Sequence, residues 1–572
     1  MGTWIRPPGT KGSIGLVRVS SVIAREAPHD CPVHVAIRVR PQMQASTRRS
    51  RTTPAFIDFV FAPLMNALDH LEFGPSTLNN TIAELRRTEG RFEDTGPPAH
   101  PGLLSWTEEV LDRYVAARRE RHGAIDGSGG DLVPVSADWV ACFGDINGRP
   151  DERGIRRFER TAWGRRYASP DGRVRELWLP SIGSVREDRP DAEIAAAASV
   201  VAHGIECSLP KWWTPYDELD NRSPIPETVR IIGFGSLNGR TEPLFDGGQD
   251  TVRDAYRTHA APTFARAVAG GSPAPGASCV KCKAIVQCSA LPRTPGLWGA
   301  GRDASGPRRS LSVWDLRVHA ECPTRYHLTR QLKLRADHVE SSAAHRGRAV
   351  DGWLNERHRE PSPDGCRGEA LPADPADWSA EGHQLTGQDA LDGAAMLARH
   401  QVLCPVGRGE SFTDFQVQRQ VTAYDENLDV VVIATPDLLY TDGGGWVWRE
   451  TKTSKSPLWD RDPLMRTYPQ LAMATLILAA GALNGAPRRS RVELELLTPD
   501  RCNLETLDPS QPKVVDEART IIASLAAPLL GDSTFAPRPG RHCHSCEVRR
   551  WCDVGRNHLN RSKDDTTTAG VR

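Results

Sequence analysis

The stretch Thr435-Pro436-Asp437-Leu438-Leu439-Tyr440-Thr441-Asp442-Gly443-Gly444-Gly445-Trp446-Val447-Trp448-Arg449-Glu450-Thr451-Lys452-Thr453 decides how the chain is read. Two apolar runs flank a Gly-rich turn, the pattern of a β-hairpin. Side chains alternate along a strand, so Glu450 and Lys452 project from one face. Asp437, across the hairpin, reaches the same side. Two carboxylates can hold a hard divalent cation, which prefers oxygen ligands. An ammonium beside them can steady an attacking water or a developing phosphate charge. The pattern fits metal-dependent phosphodiester chemistry. The bland alternative is a surface hairpin whose acid and base form an exposed ion pair. The flanks decide between them.

At 572 residues the chain is too long for one core, and two or more domains are expected. Lys+Arg 72 equals Asp+Glu 72, so any basic groove must be local. The N-terminal Met1-Gly2-Thr3-Trp4 lacks the apolar core of a signal peptide. The longest apolar run, Leu471 to Leu483, is too short to span a bilayer. The expectation is a soluble, cytoplasmic protein without a membrane partner. Its 13 cysteines then point to metal or cluster ligation rather than disulfides.

Two stretches align without a gap. Ser21-Val22 leads through eight residues to Cys31-Pro32, and Ser312-Val313 leads through eight residues to Cys322-Pro323. Further on, Cys279-x2-Cys282-x5-Cys288 matches Cys543-x2-Cys546-x5-Cys552. Between them, Tyr167 to Trp178 stands where Tyr440 to Lys452 stands, and the Ala-rich helix former Glu193 to Gly204 parallels Gln470 to Gly481. A long-period repeat of this kind reads as duplication of a whole module. The first copy keeps an acid, Glu176, but has Trp178 for Lys452 and Gly164 for Asp437, so it reads as degenerate. Strands over Val430–Ala434, Trp446–Trp448 and Val492–Leu497, with a helix over Tyr468–Ala482, predict an α/β core with a mixed sheet.

Cys543, Cys546 and Cys552 are close enough in sequence to meet, and Cys322 can supply a fourth thiolate; such a set binds zinc or an iron–sulfur cluster. Cys31, Cys279, Cys282 and Cys288 can form a second site by the same spacing, or remain as packed relics. Cys142, Cys207, Cys366, Cys404 and Cys502 show no pairing pattern and are read as buried thiols.

Pro436-Asp437 followed by Glu450-Thr451-Lys452, with one cysteine before this core and three after it, resembles the PD-(D/E)xK nucleases. Among them it is similar to the RecB/AddB-type exonucleases and the iron–sulfur nuclease of CRISPR adaptation. The resemblance covers about residues 311–555 well and 20–290 in outline. It implies a restriction-endonuclease-like mixed sheet flanked by helices, duplicated with a degenerate N-terminal copy. It implies Mg2+ or Mn2+ held by Asp351, Asp437, Glu450 and the Thr451 carbonyl, with Lys452 orienting the attacking water. Gln470 stands at the family's Gln-x3-Tyr helix motif, although Ala474 replaces the tyrosine. Asp351, in Gly347-Arg348-Ala349-Val350-Asp351, stands where the family has a histidine, and Asp58 lies at about the matching place in the first copy. The four late cysteines would hold a 4Fe–4S cluster, and the early four a second, with zinc as the alternative.

The resulting expectation is a degenerate module over 1–291, a linker over 292–310, a nuclease module over 311–556 and a disordered tail over 557–572. The implied function is a metal-dependent DNA nuclease, an exonuclease on single-stranded or frayed ends. The rival is a non-catalytic DNA-binding or scaffold protein with zinc or iron–sulfur sites. DNA is the expected partner. No Gly-x4-Gly-Lys-Ser/Thr motif is present, so unwinding would need a separate helicase, or other repair or phage-defence proteins.

Overall fold

The computed structural model describes residues 4–569 except 48–52, 93–94, 123–131, 187, 221–222, 300–306, 337–339, 361–363, 369, 410–411 and 456–462; for 562–569 it describes the backbone alone. The chain divides into two compact units. One comprises Met1–Ala290, Glu321–Asp337 and Ser533–Arg572; the other comprises Leu291–Ala320 and His338–Asp532.

The second of these units is built on a five-stranded mixed sheet. Its strands run in the order Phe412–Val417, Leu438–Asp442, Gly445–Thr453, Arg491–Leu497, Cys502–Leu507. Only Gly445–Thr453 and Arg491–Leu497 run parallel; the other neighbours are antiparallel. The hairpin closes with Asp442 opposite Gly445, leaving Gly443 and Gly444 as the turn. Both have positive φ, +55° and +84°. A two-residue turn with φ > 0 at both positions matches the twist of the strands it joins, and glycine adopts it without steric cost. A second, three-stranded sheet pairs Arg309–Leu311 parallel to Val430–Ala434, and that strand antiparallel to Val421–Asp425. Helices Ser342–Arg359, Gly387–Leu403 and Pro469–Ala479 flank the sheets. The first is capped by Ser341, whose Oγ accepts the Ala344 N–H at 3.3 Å. The last opens with Pro469 at a position that needs no donor.

The other unit repeats this order. Val133–Pro134, Arg165–Ala168, Val174–Ser181, Thr228–Gly235 and Thr241–Gly247 form a five-stranded sheet with one parallel pair at the same place. Leu16–Ser20 pairs parallel to Arg157–Thr161, which pairs antiparallel to Asp138–Gly144, as in the three-stranded sheet. The chain is thus an α/β protein with mixed sheets flanked by helices, as the sequence predicted.

The register corrects one expectation. In the two hairpins Leu438 faces Arg449 and Arg165 faces Trp178, each the first residue of its leading strand. Counting from there, Glu450 corresponds to Leu179, Lys452 to Ser181 and Asp437 to Gly164. Glu176 therefore lies on the opposite face from Glu450. It is fully buried against helix Pro101–His122, held by Arg121 at 3.2 Å and His122 Nε2 at 2.7 Å. The Trp178 indole N–H donates to it at 2.6 Å. Trp178 is itself fully buried, so it neither fills a lysine's place nor can stack on a base. The sequence alignment was displaced by three residues (179 − 176), and any odd shift along a strand exchanges the two faces. Asp58 is likewise no counterpart of Asp351. It is exposed and lies in a coil before helix Ala62–Phe73.

The stretch read as a linker is in part folded. Trp298 is fully buried, Thr294 N–H donates to the Tyr424 carbonyl at 3.0 Å, and Gly296 N–H to Asp425 Oδ1 at 3.1 Å. Its part over 300–306 lies outside the described residues. Helix Asp553–Ala569 runs through most of the stretch read as a disordered tail.

Glu176 loses its charge below its depressed pKa, which the His122, Arg121 and Trp178 hydrogen bonds hold down against the cost of burial. A depressed carboxyl contributes stability above the unfolded pKa and loses it as pH falls through the folded one. Glu176→Gln leaves Arg121 and His122 beside an uncharged partner. It should destabilise its unit by about 3 kcal/mol in denaturant melts at pH 7, and by much less near pH 3.

Candidate active site

The parity of the hairpin puts Trp448, Glu450 and Lys452 on one face and Arg449 and Thr451 on the other. Lys452 Nζ lies 3.2 Å from Asp437 Oδ2 and 3.2 Å from Glu450 Oε2. The Trp448 indole N–H donates to Glu450 Oε1 at 3.0 Å, and the Thr451 backbone N–H donates to Asp437 Oδ2 at 2.7 Å. Asp351, from helix Ser342–Arg359, is tied in by Gln418. The Gln418 Nε2 lies 3.3 Å from Asp437 Oδ1 and 3.4 Å from Asp351 Oδ2. Asn355 Nδ2 donates to Asp351 at 3.1 Å.

Three carboxylates thus gather around one ammonium. Burial pushes the Asp351 carboxyl up to about 6, with Asp437 adding to the shift. Burial and the nearby Asp437 push Glu450 up to about 7. Lys452 is held well above its ordinary value: burial opposes its charge, but Asp437 and Glu450 outweigh it. An oxygen-rich, net-acidic cluster of this kind fits a hard divalent cation. Asp351, Asp437 and Glu450 are brought together, with the Thr451 backbone at the same strand end. Gln470 is half-buried in the first turn of helix Pro469–Ala479, and no described hydrogen bond joins it to the acids. Tyr468, just before that helix, feels the Lys452 charge.

The eight motif cysteines fall into two groups in the first unit. Cys322, Cys543, Cys546 and Cys552 line one pocket. The Arg538 N–H donates to Cys322 Sγ at 3.5 Å, and the Gly555 N–H to Cys552 Sγ at 3.4 Å. A Cβ on Gly555 would stand 3.5 Å from Cys552 Sγ and 3.6 Å from Cys543 Sγ. In the other group the Ala274 N–H donates to Cys31 Sγ at 3.3 Å and the Gly276 N–H to Cys279 Sγ at 3.4 Å. Burial pushes the Cys282 thiol up to about 12, with Cys279, Cys31 and Cys288 close enough to add to it. Burial does the same to Cys546. Clustered thiols that are costly to ionise alone, some with backbone N–H groups aimed at sulfur, fit a cationic metal or an iron–sulfur cluster.

Sequence reasoning missed a third set. His358, Cys366, His400 and Cys404 are all buried, and their ligand atoms lie within 4.8 Å of one another. Cys366 and Cys404, read as thiols with no pairing pattern, meet here. The one local signal was His400-x3-Cys404, a single helical turn.

Residues 310–553 match the family model of the PD-(D/E)XK nuclease superfamily. This part of the chain is a PD-(D/E)XK nuclease superfamily domain. Among solved structures, the crystal structure of SSO0001 is similar at 17% identity, covering 43% of this chain and 86% of that one, with a TM-score of 0.23. A structure from Eubacterium rectale, provisionally described as an exonuclease, is similar at 15% identity, covering 43% and 87%, with a TM-score of 0.28. No curated protein matches the chain. No helix among the described residues is long and apolar enough to cross a membrane.

Between about pH 4 and pH 7 the folded protein holds protons on Asp351 and Glu450 that the unfolded chain releases. Metal-free stability therefore falls as pH rises through that window. A divalent cation competes with the same protons. Its stabilising effect should be larger at pH 8 than at pH 5.5, with proton release on binding at the lower pH. Calorimetric Mn2+ titrations at the two pH values measure this; equal affinities would contradict the cluster's assignment.

Proposed function

We propose that the PD-(D/E)XK domain is a metal-dependent deoxyribonuclease of the RecB-like type that acts on single-stranded or frayed DNA ends. The observation that carries this is Lys452 held between Asp437 and Glu450, with Asp351 joined to Asp437 through Gln418. The end-directed substrate rests on the resemblance alone.

Asp351, Asp437, Glu450 and the Thr451 carbonyl would hold one or two Mg2+ or Mn2+ ions. Such an ion, when bound, supplies Lewis acidity at the scissile phosphate and charge for its transition state. The protein's own groups do the rest. The Thr451 N–H and Lys452 fix the Asp437 carboxylate, and the Trp448 indole fixes one oxygen of Glu450. Each acid is thereby oriented before substrate arrives, at little entropic cost during reaction. The Lys452 ammonium stays charged across the working pH range. It orients the attacking water and offsets charge on the phosphoryl oxygens. Gln470 is assigned to strand positioning by resemblance.

In this reading Cys322, Cys543, Cys546 and Cys552 hold a 4Fe–4S cluster, and Cys31, Cys279, Cys282 and Cys288 a second; zinc is the alternative for both. The sites are cross-links. Cys322 and Cys543 are 543 − 322 = 221 residues apart, and closing so long a loop removes much unfolded-state freedom. We further infer that the first unit is a diverged duplicate without nuclease activity, because Gly164, Leu179 and Ser181 stand at the positions of Asp437, Glu450 and Lys452.

Lys452→Ala should lower cleavage of end-labelled single-stranded DNA in Mn2+ by at least about 100-fold while the melting curve shows a folded protein. Retention of full cleavage would remove the assignment. Cys543→Ala should remove the iron of the cluster held by Cys322, Cys543, Cys546 and Cys552, reduce the broad visible absorbance of purified protein in proportion, and lower its melting temperature. A colourless wild-type protein carrying zinc would select the alternative.

A further inference from the structure

We propose that His358, Cys366, His400 and Cys404 bind one structural Zn2+ ion, separate from the acidic cluster and from both cysteine groups. Two pairs of side chains, His358 with Cys366 and His400 with Cys404, meet in a nearly dry interior. His358 closes helix Ser342–Arg359, Cys366 sits in the short 3-10 turn Gly365–Arg367, and His400 and Cys404 end helix Gly387–Leu403. Cys404 and His400 are fully buried, Cys366 is 1% exposed and His358 5%.

The spacing of the four ligand atoms accommodates a single tetrahedral ion. His358 Nε2 lies 3.3 Å from Cys366 Sγ and 3.6 Å from Cys404 Sγ. All four ligand atoms fall within 4.8 Å of one another. Bonds of about 2.0–2.3 Å to zinc place tetrahedral neighbours about 3.3–3.8 Å apart. A cluster of two or more irons needs its ligands spread more widely. Two thiolates and two imidazoles are a donor set that selects zinc, and the two sulfur charges neutralise Zn2+ in a site where a net charge would be costly.

A second observation points to a ligand independently. His400 Nδ1 lies 2.8 Å from Glu495 Oε1, and Glu495 is fully buried on strand Arg491–Leu497. That contact fixes the Nδ1–H tautomer and leaves the Nε2 lone pair free to ligate. His400 Nε2 is buried with no hydrogen-bond partner. A carboxylate behind one ring nitrogen and an unsatisfied second nitrogen facing thiols is the outer-shell arrangement of a metal-bound histidine.

The ion would join the end of the helix that carries Asp351 to the end of helix Gly387–Leu403. Glu495 extends the link to strand Gly445–Thr453, because the Thr451 Oγ1 lies 3.3 Å from Glu495 Oε2. The zinc thus acts as a staple behind the acidic cluster, and its ligands are positioning residues rather than catalytic ones.

The test is metal analysis of the full-length protein purified without chelator, with zinc and iron counted separately, beside zinc-edge X-ray absorption. We expect wild type to carry a zinc ion ligated by nitrogen and sulfur. The double variant Cys366→Ser/Cys404→Ser should lose one zinc equivalent with iron unchanged, whereas His400→Cys, which keeps a zinc-binding donor, should retain it. Cobalt added to protein stripped of zinc should give the visible bands and thiolate-to-cobalt charge transfer of a tetrahedral site in wild type. Wild-type protein lacking nitrogen- and sulfur-ligated zinc, or a soluble double variant with undiminished zinc, overturns the proposal. If the double variant does not fold, the wild-type spectrum and metal count decide alone. None of these readouts depends on DNA cleavage.

Discussion

A single ammonium set against three carboxylates is the constraint around which the second unit is arranged. Lys452 touches Asp437 and Glu450, and Gln418 bridges Asp437 to Asp351. Burial, with the Asp437 charge adding to it, pushes the Asp351 carboxyl up to about 6 and that of Glu450 to about 7, and the one Lys452 ammonium only partly offsets this. The rest of the unit fixes where those acids point. The two-glycine turn sets the hairpin register, the register sets which residues share a face, and the parallel strand Arg491–Leu497 braces the far edge.

The same strand order in the first unit carries a different charge pattern. There the corresponding positions are Gly164, Leu179 and Ser181, and the buried acid on that strand has moved to the other face. Glu176 is fully paired with Arg121, His122 and Trp178. Gly164 also has a steric reason to be glycine: its φ is +155°, and a Cβ there would stand 2.3 Å from the Trp178 carbonyl oxygen. One architecture thus supports an open, underbalanced acid cluster in one unit and a closed, satisfied ion pair in the other. The difference is a matter of strand parity and of which helix supplies counter-charges.

The hairpin, the strands around it and the grouping of Asp437, Glu450 and Lys452 were legible in the sequence because period-two alternation and a Gly-rich turn are local signals. The cysteine triplets were legible because their members lie within ten residues of each other. What failed needed three dimensions. Glu176 and Trp178 were aligned by residue type, and an odd displacement of three residues put them on the wrong face. Pro292 to Arg309 has linker composition, yet Trp298 is buried and Asp425 accepts the Gly296 and Trp298 N–H groups. Composition cannot foresee a partner 127 or 129 residues away. The set of His358, Cys366, His400 and Cys404 was invisible for the same reason, being drawn from two helices and a turn.

The two faces of strand Gly445–Thr453 divide the chemistry. Trp448, Glu450 and Lys452 serve the acid cluster, while Arg449 and Thr451 reach the buried carboxylates Glu493 and Glu495 behind it. Arg449 Nε donates to Glu493 at 2.8 Å and its Nη1 to the Leu403 carbonyl at 2.9 Å, at the end of the helix that carries His400. Glu495 is shared between His400 and Thr451. Buried ionic contacts of this kind add little net stability, because desolvation consumes most of the attraction, but they tolerate few alternative arrangements. Their effect is to fix the strand from behind. A shift of the strand along its axis would break the Arg449 and Thr451 contacts together. The acids on the front face therefore inherit their positions from polar contacts on the back, and that coupling runs through every second residue of one strand.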